Sequence, residues 1–263
     1  MRGRVMGAVA VCLLSGGVWA QQVVDLAVDG VLKQLQAHLE EYRGTVPDIF
    51  CSEHVVSSVE TRRTHTQTMT DSTFRLRKTK HDDGLVTFEE SRAVLAVDGK
   101  VPIDSNVEIS GPAILSGVFS DGLHMVAHEV EGCYDYTLET PRPGHPKDRM
   151  VVKFKDAARD VRPYGCPPYE GTWGQTTIDP VSMRVLRLEK TMPDPQRVMD
   201  QTAIWKWTVE YAPVVLDGKS FWMPKTIRST SRTEGGDYVW SFEGSYKSYH
   251  LFHATTRIVP VGP

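Results

Sequence analysis

The chain has 263 residues, 40% hydrophobic and 24% charged, with 30 Lys and Arg against 33 Asp and Glu for a net charge of −3. That length suits one β-rich domain with a filled core or two small ones, and one is preferred. The near-even charge gives no electrostatic basis for binding nucleic acid or an anionic membrane surface.

Residues 1–20 read as a signal peptide. Arg2 and Arg4 form a short basic region, Met6 to Leu14 is an apolar run too short to span a bilayer, and Val18 and Ala20 are the small residues of a cleavage site. Gln21 is then the mature N-terminus, and residues 21–263 form a single domain. Cleavage removes two arginines and no acid, so the net charge falls from −3 to −5. Cys12 lies inside the apolar run without the small-residue context of a lipoprotein site, which favours a soluble periplasmic or secreted protein over a lipid-anchored one. No later segment is long and apolar enough for a membrane helix, so an integral membrane protein is not expected.

The mature chain is expected to open with a helix over about Val23–Arg43. Val24, Val28, Val31, Leu35, Leu39 and Tyr42 recur at three- and four-residue spacing, Gly44 suits the C′ position, and Pro47 blocks continuation. Strands follow near Phe50–Thr61, Thr66–Lys78, Leu85–Val97, Tyr134–Thr140 and Met150–Phe154. Between Gly111 and His128 the period changes: Ser110 and Pro112 form an N-cap and N1 pair ahead of Ile114, Leu115, Val118 and Phe119, so one or two short helices are predicted. From Gly171 to Phe252 apolar and polar residues alternate as in half-buried antiparallel strands. Asp83-Gly84, Asp98-Gly99, Asp217-Gly218 and Gly235-Gly236 mark tight turns. The fold class is therefore mainly β with helices: a curved antiparallel meander of about 10–11 strands, an incompletely closed barrel with an N-terminal helix and short central helices.

Three cysteines remain after cleavage. Cys133 opens a strand and Cys166 sits in a nearby irregular loop, so a Cys133–Cys166 disulfide is favoured, with three reduced thiols as the alternative. Neither CxxC nor Cys/His spacing occurs, and no metal or cofactor is indicated.

Two segments, Gly174 to Asp179 (GQTTID) with Val185 to Leu188, and Leu216 to Lys219 with Met223 to Arg228, resemble the periplasmic lipoprotein-carrier superfamily of LolA- and LolB-like proteins. The ending Gly244 to Tyr249 resembles the closing strand of outer-membrane lipoprotein-sorting proteins, and Val46 to Cys51 resembles a segment of uncharacterised secreted β-proteins of soil bacteria. The resemblance implies an apolar cavity between a curved sheet and its helices that holds the acyl chains of a lipid or lipoprotein.

All five mature tryptophans lie between Trp173 and Trp240. Trp205, Trp207 and Tyr211 share one strand face and Trp240 and Phe242 another, so these five are the expected lining of a hydrophobic site; the alternative is that they fill the core under the helix. His124 and His128 are four apart with Glu129 following, but Met125 stands where a metalloprotease needs glutamate. A metal-dependent hydrolase would require a further ligand from elsewhere. His250 and His253 read as rim residues, Asp82-Asp83 and Glu89-Glu90 as solvated charge, and no nucleophile elbow or phosphate loop is found. The sequence thus leads to a non-enzymatic binder of an apolar ligand such as lipid or lipoprotein acyl chains. The competing reading is an envelope scaffold for a protein partner.

Overall fold

The computed structural model describes residues 16–104, 109, 111–123, 132–140, 149–164, 166, 170–193 and 202–252, with the side chains of the first helix from Val28 onward. Helix α1 spans Gly16–Thr45, and β1 (Ile49–Thr61), β2 (His65–Lys80) and β3 (Val86–Val97) follow. A single turn, α2 (Val118–Asp121), precedes β4 (Tyr134–Glu139), β5 (Met150–Asp156), β6 (Trp173–Ile178), β7 (Val185–Pro193), β8 (Ala203–Leu216), β9 (Lys219–Thr233) and β10 (Tyr238–Leu251).

The ten strands form one antiparallel sheet in the order β3-β2-β1-β10-β9-β8-β7-β6-β5-β4. It is not a single meander. Two meanders, β1–β3 and β4–β10, join where the first strand pairs with the last, Val55 opposite Gly244. The long connection between β3 and β4 is no hairpin, and these strands become the two edges of an open sheet. Helix α1 reaches both: it packs on β4, and Tyr42 approaches Phe88 of β3 at 5.9 Å between ring centroids.

The hairpin turns follow from residues that tolerate positive φ. Asp217 (φ 48°) and Gly218 (φ 73°) join β8 to β9 across the Leu216–Lys219 pair, and Asp98 and Gly99 (48° and 74°) repeat that geometry after β3. Register carries one buried row across the sheet: Val152, Thr176, Leu188, Val209, Ile227, Gly244, Val55 and Thr70 are consecutive partners from β5 to β2. Over this concave face lies the apolar stripe of α1, with Val28, Val31, Leu32, Leu35, Leu39 and Tyr42 all buried. Each such side chain contributes roughly 1.5–3 kcal/mol relative to exposure, which holds the helix on the sheet. No described helix is long and apolar enough to cross a membrane.

Two local expectations are corrected. The helix does not end at Gly44 but continues to Thr45, where the Val46 N–H still reaches the Tyr42 carbonyl at 2.8 Å before Pro47 stops it. The predicted helix from Pro112 is absent: residues 111–116 are irregular, Ile114 is 60% exposed, and α2 starts only after Gly117 (φ 79°). The Ser57 hydroxyl of β1 explains the difference, since it accepts from the Ala113 N–H (2.8 Å) and donates to the Ala113 carbonyl (2.6 Å), taking the backbone groups a helix would use.

Candidate functional site

The five expected lining residues all lie on the concave face, in different surroundings. Trp207, Tyr211 and Phe242 are buried core residues, and Trp205 packs against that core, its indole N–H donating to the Ser229 hydroxyl at 2.6 Å. Trp205, Trp207, Val209 and Tyr211 follow the period-two alternation of β8 without a break, the register shift after Glu210 being taken up by Lys225 on β9. Trp240 sits farther along the face and is half-buried, its ring stacked on Tyr238 at 5.4 Å. Trp205 and Trp240 flank Ser231 from either side, so β8 and β10 meet in one aromatic row through β9. Phe242 also borders a shallow gap with Leu115, Val118 and Phe119 that has no room for a water molecule.

A cleft lies elsewhere, where the C-terminal half of α1 meets β9 and the β6–β7 turn. Including its mouth it encloses about 560 Å³, but the space that admits whole water molecules is only about 40 Å³. Leu35, Tyr42, Leu123, Val185, Phe221 and Trp222 supply apolar wall; His38, Glu41, Thr45, Arg184 and Ser220 supply polar rim. None of Trp205, Trp207, Tyr211, Trp240 and Phe242 borders this cleft. Trp222 is fixed by its indole N–H, which donates to the Val185 carbonyl on β7.

The rim is electrically paired. Arg184 Nη2 donates to Glu41 Oε2 at 2.8 Å, with the two side chains 30% and 52% exposed. His38 Nδ1 lies 3.0 Å from the Met183 carbonyl, so that nitrogen carries the proton and Nε2 is left as an acceptor in the neutral ring. Burial first, then Arg184, holds the His38 pKa below its ordinary value of 6.5. The Tyr211 phenol lacks a hydrogen-bond partner among the described residues, and burial, with Tyr42 nearby, raises its pKa well above the usual range.

A second polar group occupies the concave face on the β3 side. The Glu53 carboxylate accepts from Arg92 Nε at 2.9 Å and from the Ser72 hydroxyl at 2.7 Å. Arg92 stacks its guanidinium over Phe74, 4.9 Å from the ring centroid. Glu90, read from sequence as solvated, is instead buried, with its side chain 7% exposed. It accepts from the Gly117 N–H, the Ser120 N–H and the Ser120 hydroxyl, so the first turn of α2 needed an acceptor and β3 turns Glu90 inward to supply it. Adjacent glutamates on a strand point to opposite faces, and that alternation was the available signal.

Cys133 and Cys166 are joined by a disulfide, while Cys51 is a buried free thiol whose pKa burial pushes up to about 12. His250 is exposed and stacks on Phe50 at 5.1 Å. His124, His128, Glu129 and His253 lie outside the described residues. Among the described residues no three His, Cys, Asp or Glu side chains converge as metal ligands would.

No protein-family model matches the sequence, and no curated protein matches it. The chain is similar to several solved structures. One is a DUF1329 family protein from Desulfovibrio piger, at 12% identity and a TM-score of 0.40, covering 89% of this chain and 95% of that one. Another is a candidate outer-membrane lipoprotein-sorting protein domain from Vibrio parahaemolyticus, at 11% identity and a TM-score of 0.37, covering 84% and 90%. A third is a LolA superfamily protein from Nitrosomonas europaea, at 13% identity and a TM-score of 0.32, covering 85% and 94%. At such identities and TM-scores these likenesses assign no function.

Proposed function

We propose that this is an exported envelope protein, periplasmic or secreted, that loses residues 1–20 and binds an apolar moiety without catalysing a reaction. The ligand class is the acyl chain of a lipid or lipoprotein. The observation that carries the reading is the cleft walled by Leu35, Tyr42, Val185, Phe221 and Trp222 and open to solvent at its mouth. A buried methylene contributes about 0.8 kcal/mol, so micromolar capture, about 8 kcal/mol, takes roughly ten of them. The enclosed space of about 40 Å³ holds far less than that, so α1 must yield as a chain enters. Tyr211, Trp207, Phe242, Trp205 and Trp240, on the same face of the sheet, are proposed as the inner lining.

The test is titration of the mature protein with a fluorescent acylated probe while tryptophan emission is followed. Saturable micromolar binding is expected, weakened at least tenfold by Phe221→Glu and carried spectroscopically by Trp222. Absence of saturation up to the solubility of the probe sinks the reading.

One observation favours a scaffold for a protein partner instead. Met69 (42% exposed), Leu95 (55%), Val101 (80%) and Ile103 (107%) expose apolar surface around β3, an edge strand among the described residues. Under that reading acyl probes fail to bind, and Leu95→Lys with Ile103→Asp abolishes complex formation in the envelope without altering the fold.

A further inference from the structure

The polar rim of the cleft narrows the class of ligand, an inference that rests on the acyl-binding reading above. Arg184 and Glu41 form one ion pair at 2.8 Å at the edge of an apolar wall, with no net charge between them. The pair is half-exposed, and such pairs contribute little to stability, so exchanging partners costs little. Beside it His38 is tied through Nδ1 to the Met183 carbonyl, which leaves Nε2 as an acceptor. Besides the hydroxyl residues Thr45 and Ser220, the rim therefore offers one guanidinium fork, one carboxylate and one neutral imidazole acceptor.

We propose that the cleft selects a single-chain amphiphile with a zwitterionic head, in which an anionic oxygen group and a primary ammonium share one short headgroup. An anion alone on Arg184 would bring a like charge beside Glu41. A cation alone on Glu41 would face Arg184. A head carrying both signs pairs each with its opposite and leaves the rim neutral. The phosphate or carboxylate of the ligand matches the planar fork of Arg184. The ammonium supplies three N–H donors for Glu41 and His38 Nε2, which a quaternary trimethylammonium cannot do. The acyl chain then runs from this rim onto Phe221 and Trp222.

The experiment uses the mature protein and four lipids with the same myristoyl chain, each below its micellar concentration: lysophosphatidylethanolamine, lysophosphatidylcholine, lysophosphatidylglycerol and monomyristoylglycerol. Binding is read by calorimetry and tryptophan emission. The ethanolamine lipid is expected to bind about tenfold more tightly than the other three, the size of one charge-assisted hydrogen bond. Arg184→Gln brings it down to the level of the monoacylglycerol. Glu41→Gln reverses the order, so that the anionic glycerol lipid binds at least as well as the ethanolamine lipid. Binding of all four within twofold of one another, or an equal shift of all four in both variants, overturns the head selectivity and leaves the acyl-binding reading standing. Failure of all four to bind overturns both.

Discussion

Glu53 and Arg92 meet at 2.9 Å on the concave face, the Glu53 side chain wholly withdrawn from water and the Arg92 side chain 14% exposed. Burial alone would favour a neutral Arg92, but the Glu53 charge outweighs it and raises the arginine pKa. Arg92→Met leaves Glu53 with only hydroxyl partners, and the expected cost is roughly 3–5 kcal/mol, read from a lowered denaturation midpoint in urea. The double variant Glu53→Gln with Arg92→Met is expected to be more stable than Arg92→Met alone. A single variant within 1 kcal/mol of the parent would contradict the coupling.

The Cys133–Cys166 disulfide closes a loop with a sequence separation of 33. In the chain-entropy treatment such a loop contributes roughly 3.5–4 kcal/mol, so Cys133→Ser with Cys166→Ser is expected to lower stability by about that amount. Cys51, with its thiol pKa pushed up to about 12, stays unmodified by a thiol reagent at pH 8 until denaturant is added. Rapid labelling of the native mature protein would show that Cys51 is open to solvent.

Two glycines give opposite expectations. A Cβ on Gly174 would lie 2.1 Å from the Glu189 carbonyl oxygen and 2.5 Å from Phe154 Cζ, so Gly174→Ala must displace backbone across β6 and β7. A loss of about 2–3 kcal/mol is expected. Gly30 lies inside α1 with nothing within 4 Å of an added Cβ, so Gly30→Ala is expected to raise stability by up to ~1 kcal/mol. Thermal unfolding of the pair decides both.

The pKa of His38 is depressed in the folded protein, so between the folded value and 6.5 the unfolded chain binds the additional proton. Stability from the neutral ring is therefore fully present above about pH 6.5 and is lost as the pH falls toward the folded value. His38→Gln is expected to flatten the dependence on that acid side and leave the region above pH 7 unchanged. Denaturation midpoints measured from pH 5 to pH 8 read the difference, and identical slopes in the two proteins would refute it.

The strand ladder was largely legible because a half-buried strand repeats every two residues. Ile49–Thr61 and Val86–Val97 begin within one residue of the expected Phe50 and Leu85, and the Asp-Gly turns fall where expected. The stripe from Val28 to Tyr42 likewise marked the covered face of α1. Pairing order was not legible: β1 finds β10 far along the chain, and nothing local encodes that partner. Nor was the cleft, whose walls come from α1, the β6–β7 turn and β9. Trp222 stood in the sequence as one tryptophan among five, while its position beside Leu35 and Tyr42 depends on how the sheet curves under the helix. Glu90 was misjudged because its partners, the amides of Gly117 and Ser120, exist only once α2 has formed.

The pairing of β1 with β10 sets an order of assembly. The strand that completes β1 is made roughly 190 residues later, so a chain emerging N-terminus first carries an open hydrogen-bonding edge until its end is released. Any truncation before Tyr238 leaves that seam unzipped and Val55 with Thr70 alone beside it, a latent point of self-association in every incomplete product.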